Sequence, residues 1–533
     1  MLIDTQQWER VLEGEGRVAL ERMLPAILLT RRWFGGKART IESVRIVEVI
    51  PIPAPSMTAV LLFLRVDYRE GTAETYALPV AAAFGDEAAR IQRESPQAVV
   101  TSFDAVVKDA GRAGVLYDAF WNHEWPGALL DAVGRGAQFK GRAGSVIASS
   151  TQAYRDLVTE NENLTPAVMK AEQSNTSVAF GDRFILKLYR RVQEGVNPDL
   201  EIGRVLTAMG FPHTPLVGGA MEYVRPNVEP ATAMILQAFV RNQGDAWKFT
   251  LDAVEKYRER VQRQPMNDAA GMPRRRLLDL ARGDTPFLAR ELIGAYLDPA
   301  HRLGERTAEL HTTLAQCRDN PNFVPEPVTS EYRHARYASM CQSARQTRAL
   351  LERRLPDLPD TTKQDAQTVL DAESAMLDRF RAFRDAADSG LRIRCHGDYH
   401  LGQVLWTGQK FMLIDFEGEP ARPLSERRLK HPPIMDVAGM LRSFHYAVHA
   451  VSHIPHPWIE CWYGWVGAEF LKGYLETAKR AAFLPKTDDD IGVLLDAYLL
   501  EKAVYECGYE LNNRPDWVGI PLRGIAELLK TTG

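Results

Sequence analysis

Hydrophobic positions follow two rhythms along this chain, and the change falls near residue 240. Before it, short apolar runs with a period near two dominate. Ser43–Ile50, Ala59–Tyr68 and Thr75–Val80 read as strands, with Glu70-Gly71 turning a hairpin between the last two. Pro51, Pro53 and Pro55 predict an extended link between the first pair. A helical opening carrying Trp8, Val11, Leu12, Val18 and Leu20 precedes them. Further on, Ala167–Ala171, Ser177–Phe180 and Arg183–Tyr189 are predicted strands, the last two joined through Gly181-Asp182. Asn197-Pro198-Asp199-Leu200-Glu201 opens a helix, with Asn as N-cap, Pro at the first position, acids in the first turn and Gly210 as the stop.

After residue 240 the period becomes helical. Gln364–Ala387 places Leu370, Leu377, Phe380 and Phe383 on one face, closed by Ser389-Gly390. A strand at Leu391–Cys395, a hairpin over Val404–Ile414 turned by Gly408, and helices at Asp436–Ala450, Trp465–Lys479 and Asp489–Asn512 follow. The pattern predicts an α+β chain in three parts: a small α+β unit over 1–95, a mixed unit over 96–238, and a largely helical lobe over 239–533.

At 533 residues the chain is long enough for two or three cores. A net charge of −4 and the lack of a sustained basic stripe argue against a nucleic-acid partner. The nearest candidate, Pro273-Arg-Arg-Arg276, reads as a solvated helix start. Five scattered cysteines with no Cys-x-x-Cys pair argue against a disulfide framework or a zinc site and fit a reducing cytoplasm. The first residues lack a basic and an apolar signal region, and no stretch approaches the ~20 apolar residues that span a bilayer. The expectation is a cytoplasmic protein with no membrane partner.

The chemistry concentrates in Arg394-Cys-His-Gly-Asp-Tyr-His-Leu-Gly-Gln403 and Phe411-Met-Leu-Ile-Asp-Phe-Glu-Gly418. Phosphoryl transfer on a kinase scaffold needs a carboxylate facing the acceptor hydroxyl, then an amide and a carboxylate for Mg²⁺; protein kinases use Asp-x-x-x-x-Asn and Asp-Phe-Gly. Here Asp398 takes the first role, and Gln403 and Asp415 the metal roles, with Gln in place of Asn. The fold expected is therefore bilobal and protein-kinase-like. His396 and His400 are four apart, but Gly397 and Gly402 argue for a loop rather than a zincin helix. His396 reads as a buried anchor, and His400 stays undecided.

Lys187 in the strand Phe184–Tyr189 and Glu201 in the next helix suggest the lysine–glutamate pair that orients nucleotide phosphates. Gln173-Ser174-Asn175-Thr176-Ser177 offers hydroxyls, amides and N–H groups to phosphates, or is an ordinary polar turn. Gly35-Gly36-Lys37 fails the phosphate-loop pattern because Ala38 follows the lysine. Gln237 and Phe239, within Leu236–Val240, are placed by order alone at the hinge whose backbone binds adenine.

Arg32-Trp-Phe-Gly-Gly-Lys37, Gln173–Ser177, Asn197–Glu201, His396–Gln403, Ile414-Asp-Phe-Glu-Gly-Glu-Pro-Ala-Arg422 and Tyr505-Glu-Cys-Gly-Tyr-Glu-Leu-Asn-Asn-Arg-Pro-Asp-Trp517 together resemble the bacterial maltokinases, relatives of aminoglycoside phosphotransferases and choline kinases. The resemblance runs nearly end to end. It is closest to the long form often fused behind trehalose synthase, although no synthase domain is present in this chain. Tyr399 stands where many relatives have Leu. What the resemblance implies is an N-terminal cap, a nucleotide-binding intermediate subdomain and a helical catalytic lobe. It also implies ATP and Mg²⁺ as cofactors and maltose converted to maltose 1-phosphate for α-glucan (glycogen) synthesis, with association to a trehalose synthase.

A sugar pocket wants aromatic faces among polar groups. Glu501, Tyr505, Tyr509, Asn513 and Arg514 share one helix face at spacings near four, unless the tyrosines simply pack the core. His400 and Glu417 are further sugar-contact candidates. Two rival readings stay open: a kinase of another sugar, glucosamine above all, and a non-catalytic scaffold for trehalose synthase.

Overall fold

The computed structural model describes residues 2–4, 8–107, 110–158, 164–169, 174–265 and 276–530. Ala171, Gln173 and Pro273–Arg275, on which parts of the reading above rest, lie outside them. The chain forms two compact units, Met1–Thr207 with Pro215–Arg241, and Ala208–Thr214 with Asn242–Gly533.

The first unit is built on two sheets. One holds β1 (Leu2–Asp4), β2 (Ile41–Pro53), β3 (Thr58–Tyr68), β4 (Glu74–Phe84), β5 (Val99–Val107) and β6 (Ala110–Asp118), in the order β1-β5-β6-β4-β3-β2. β2 is an edge strand, and Pro51 and Pro53 lie inside it rather than in a link, because an edge position tolerates the missing N–H. Gly71, at φ 85°, turns the hairpin between β3 and β4. β5 and β6 carry this sheet to Asp118, past the boundary expected at 95. The helix Gly14–Thr30 buries Leu20, Leu24 and Leu28, while Val18 faces outward.

The second sheet is antiparallel throughout. It runs β7 (Gln138–Lys140), β8 (Ser145–Ser150), β13 (Val217–Val224), β14 (Ala231–Ala238), β11 (Phe184–Leu188), β10 (Thr176–Phe180) and β9 (Pro166–Val168). A short strand, β12 (Arg191–Val192), leaves β11 to pair with β4 of the first sheet. One apolar core joins the sheets, from Ile50, Leu61 and Phe63 to Phe184, Leu186 and Met234. The helix Pro198–Ala208 starts as its sequence predicts, the Asn197 side chain accepting from the Asp199 N–H at 2.9 Å.

Two buried polar knots cross this core. Glu48 on β2 is 1% exposed and accepts from the N–H groups of Val49 (2.9 Å), Arg142 (2.7 Å) and Ala143 (3.0 Å) and from the Tyr223 hydroxyl (2.6 Å). Arg190 pairs with Asp118, lies over the Trp33 ring at 4.7 Å and donates through Nε to Thr176 Oγ1 at 2.8 Å. Trp33 thereby meets Arg190, two residues beyond the strand that carries Lys187.

The second unit is mainly helical. Two short strand pairs interrupt it, Glu326–Pro327 with Leu391–Arg392 and Val404–Trp406 with Phe411–Leu413. The helix expected over Gln364–Ala387 is two helices, Asp360–Asp371 and Glu373–Asp385. Arg348 explains the break: its guanidinium takes the Leu370 carbonyl at 2.6 Å and the Glu373 carboxylate at 3.0 Å. The helix expected from Trp465 already begins at His456, behind Pro455. Helix Ile434–Ala450 is buried almost all round, so Asp436, Arg442 and His445 within it need partners in the core. No helix among the described residues is long and apolar enough to cross a membrane.

Glu48→Ala strands four donors in the core of the first unit, at about 1–3 kcal/mol for each left unsatisfied. The expected outcome is a loss of at least about 3 kcal/mol, read as a lower urea midpoint for the earliest unfolding transition.

Candidate active site

Strand Leu391–Arg392 leads into the His-Gly-Asp loop, and Ile393 exchanges backbone bonds with His431 at 3.0 and 2.9 Å. Below the loop stands Asp436, in the first turn of helix Ile434–Ala450. Its buried carboxylate accepts from the N–H groups of His396 (2.8 Å) and Gly397 (3.0 Å) and meets His311 Nε2 at 3.1 Å. Burial alone would raise the Asp436 pKa, but the bond from His311, the neighbouring histidines and the Gly397 N–H outweigh it and hold the carboxyl below its usual range. His396 is the buried anchor expected, its Nε2 donating to the Ile414 carbonyl at 3.0 Å. That bond ties the Asp398 loop to the strand end that carries Asp415.

Asp398 is half-buried between two nitrogen groups. Lys502 Nζ lies 3.5 Å from one carboxylate oxygen and His400 Nε2 3.8 Å from the other. His400 Nδ1 accepts from the Gly402 N–H at 3.1 Å, so the neutral ring carries its proton on Nε2, facing Asp398. Burial lowers the His400 pKa and favours that neutral form. Burial also works against the Lys502 charge, but Asp398, Glu419 and Glu506 prevail and raise its pKa. Lys502 additionally lies 4.0 Å from Glu419 and 4.9 Å from the Tyr505 ring centroid. Tyr399 points away into the core, its hydroxyl 2.9 Å from Thr307 Oγ1.

The hairpin turned by Gly408 brings Gln403 and Asp415 together as expected. Gln403 Nε2 donates to Asp415 Oδ2 at 3.0 Å. Asp415 sits at φ 64°, a left-handed conformation that Asp adopts more readily than most residues and that functional sites retain. Two cis ligands of Mg²⁺, with bonds of about 2.0–2.1 Å, stand about 2.9 Å apart. With the Gln403 amide turned to present its oxygen, this pair fits such an ion. A carboxylate oxygen of Glu417 lies within 4.8 Å of one from Asp415, and the Glu417 carbonyl accepts from Arg427 at 2.9 Å.

The helix Asp488–Asn513 extends an aromatic face outward from Lys502. The rings of Tyr505 and Tyr509 stack with centroids 6.5 Å apart. Arg514 lies over Tyr509 at 5.5 Å and Trp517 at 5.1 Å, and Asn513 donates to the Tyr509 carbonyl at 2.8 Å. Glu501 is engaged elsewhere, holding the buried Arg336 at 2.7 Å.

In the first unit, Lys187 Nζ meets Asp199 at 3.3 Å, and the Tyr189 hydroxyl donates to the same carboxylate at 2.8 Å. Asp199 is thus a partner that the sequence reading passed over. Glu201, two residues on, is buried in the same helix turn. Asn175 Oδ1 and Thr176 Oγ1 accept from Arg190 at 3.4 and 2.8 Å, Ser177 is buried opposite Lys187, and Ser174 is exposed. Gln237 pairs across to Ile185, and the Phe239 N–H donates to the Arg183 carbonyl at 2.8 Å.

Residues 28–121 match the maltokinase N-terminal cap domain, and residues 260–477 match the phosphotransferase enzyme family. The chain thus matches a maltokinase-type cap in its first part and a phosphotransferase family in its second. A glucosamine kinase from Streptacidiphilus jiangxiensis is 24% identical over 67% of this chain and 72% of its own length. Another, from Mycolicibacterium smegmatis, is 21% identical over 67% of this chain and 78% of its own. A solved glucosamine kinase in complex with glucosamine, ADP and inorganic phosphate shares the fold, with TM-score 0.59, 18% identity and coverage of 95% and 96% of the two chains. A second crystal form gives TM-score 0.60 at 19% identity.

The cap match reaches residue 121, in agreement with a sheet that closes at Asp118. The phosphotransferase match spans Asp398, Gln403, Asp415 and Asp436, but stops before Lys502 and the tyrosine face. Asp436 had a signal in the sequence, an acid inside the apolar run Ile434–Leu441. So had Lys502, a cation among Leu499, Leu500, Ala503 and Val504. Both lie too far along the chain from Asp398 for local turn chemistry to place them.

Asp436→Asn leaves one carbonyl to serve donors that a carboxylate now satisfies. The expected outcome in steady-state kinetics is a kcat lower by about 100-fold, as for a small misplacement of the reacting groups, with nucleotide KM little changed. His431 gives a second test. Burial, then the charges of Arg336 and Arg422, lower its pKa from 6.5 to about 3. Above pH 6.5 both folded and unfolded chains hold it neutral. Between pH 6.5 and 3 only the unfolded chain takes the proton, so stability falls with pH at up to about 1.4 kcal/mol per unit. His431→Gln should flatten the fall in urea midpoint between pH 7 and pH 5.

Proposed function

We propose that this phosphotransferase is a maltokinase, transferring the γ-phosphoryl group of ATP to the anomeric hydroxyl of maltose. The observation that carries the acceptor class is the Lys502 ammonium held 3.5 Å from Asp398. A fixed cation beside the catalytic carboxylate suits an uncharged polyol and repels the ammonium of an amino sugar. Tyr505 and Tyr509, one helix turn apart, offer two ring faces for two successive pyranoses. The maltokinase-type cap supports the same reading.

In this reading Asp398 accepts the hydroxyl proton as the anomeric oxygen attacks phosphorus, and His400 Nε2–H steadies the carboxylate. Asp415 and Gln403 hold Mg²⁺, which supplies charge neutralisation at the transferred phosphoryl group. Lys187, fixed by Asp199, neutralises phosphate charge. Glu201, Ser174–Ser177, Gln237 and Phe239 belong to the nucleotide side, and Tyr505, Tyr509, Asn513 and Arg514 to the sugar side. The product feeds α-glucan synthesis in the cytoplasm, where association with a trehalose synthase belongs to the same proposal.

A glucosamine kinase is the second reading. It is supported by the named relatives and by Glu419, a carboxylate 4.0 Å from Lys502 that an amino group could take. Incubation with ATP, Mg²⁺ and either maltose or glucosamine, followed by ³¹P NMR, separates the two. A sugar 1-phosphate from maltose alone is expected, and product from glucosamine alone would reverse the assignment. Asp398→Asn should lower kcat by about 10²–10⁴-fold with ATP affinity retained. Near-normal turnover by that variant would remove Asp398 from its role.

A further inference from the structure

Four of the twelve histidines fall within twelve residues, His445, His449, His453 and His456. The phosphoryl-transfer chemistry uses none of them. His445 and His449 are four apart on helix Ile434–Ala450 and therefore share a face, with ring centroids 4.5 Å apart. The helix Gly519–Lys530 brings Glu527 against them. Its carboxylate lies 3.3 Å from His445 Nε2 through one oxygen and 3.2 Å from His456 Nε2 through the other. Glu460 follows His456 by one turn, at 3.9 Å.

We propose that His445, His449 and Glu527 form a binding site for a divalent transition-metal ion of the Zn²⁺ class, with His456 and Glu460 at its margin. One ligand atom from each of the three lies within 4.8 Å of the others. Tetrahedral coordination with bonds of about 2.0–2.1 Å sets ligand atoms about 3.3 Å apart, a contraction that side-chain rotation supplies. His445 Nδ1 and His449 Nε2 are buried without a hydrogen-bond partner among the described residues. Each is a buried polar atom that the fold leaves unsatisfied and that a coordinated ion would satisfy.

The protonation states agree. Burial lowers the pKa of both histidines, that of His449 to about 2, and favours the neutral ring in each. Burial would raise the Glu527 pKa, but the bonds from His445 and His456 hold it well below the usual carboxylate range. Imidazoles select Zn²⁺, Co²⁺, Ni²⁺ or Cu²⁺ over the oxygen-seeking Mg²⁺ that Asp415 and Gln403 suit. A cavity of about 560 Å³ lined by His445, His456, Glu460 and Glu527 gives the ion a way in and room for a fourth ligand, His456 or water. The cysteine pattern that argued against zinc has no bearing on a site made of imidazole and carboxylate.

The test uses untagged, chelator-stripped protein with ADP and Mg²⁺ saturating the nucleotide site, titrated calorimetrically with Zn²⁺, and with Co²⁺ for its visible ligand-field bands. Native protein is expected to take one equivalent, with Co²⁺ bands of tetrahedral intensity and a rise in melting temperature. His449→Ala and Glu527→Gln should each bind at least about 100-fold more weakly. Retained ADP binding and circular dichroism show that each variant is folded. Absence of uptake by the native protein, or native affinity in either folded variant, overturns the site.

Discussion

A carboxylate removed from water must meet its charge with donors, and Asp436 does so with groups that the reaction needs in place. Its two backbone bonds come from His396 and Gly397, the residues just ahead of Asp398. The loop cannot shift without uncovering a buried anion, which costs far more than an ordinary hydrogen bond. His311, from the helix Leu297–Gln316, fills the remaining side of the carboxylate and ties a third element to the arrangement. His396 then passes the constraint on to Ile414, one residue before Asp415. The loop that carries Asp398 and the strand end that carries Asp415 are thereby tied to a single buried charge, the first through backbone N–H groups and the second through the His396 side chain.

What was legible in the sequence, and what was not, follows from how far apart in the chain the partners lie. Gln403 and Asp415 are neighbours through one hairpin, and local turn chemistry at Gly408 suffices to bring them together. Asp436 and Lys502 lie 39 and 104 residues from the loop atoms they meet, and only packing sets those distances. The same limit explains the helix break at Ala372, which depends on Arg348 arriving from another helix. It explains the first sheet too, where β5 and β6 complete a surface begun before residue 84. Asp199 meets Lys187 at 3.3 Å because the helix entry turns its second residue toward the strand, a rotation that spacing alone does not specify.

Under the proposed function, the charges around Asp398 bear on the choice of acceptor. A carboxylate facing only water would accept a proton from a neutral or a cationic substrate alike. Lys502 changes this, because its ammonium is held between Asp398 and Glu419 and its charge is reinforced by both. The pair orients Asp398, and it occupies the position that a substrate ammonium would seek. A hydroxyl approaching Asp398 displaces no charge there, whereas an amino sugar must either move Lys502 or bind Glu419 from another side.

Helix Ile434–Ala450 connects these features. Asp436 at its start fixes the catalytic loop, and Arg442 pairs at 2.7 Å with Glu506, which also strengthens the Lys502 charge. His445 and His449 near its end face Glu527. A rise of about 1.5 Å per residue puts His445 and His449 roughly 14 and 20 Å from Asp436 along one almost wholly buried element. An ion joining this helix to Gly519–Lys530 would leave the reacting groups untouched. It would restrain the helix at the end opposite Asp436, while Arg442 and Glu506 restrain its middle. Asp436, Arg442 and the two histidines are thus spaced along it as three attachments, with Ser443 adding a bond from the Leu401 N–H, and the first of them holds the loop that carries Asp398.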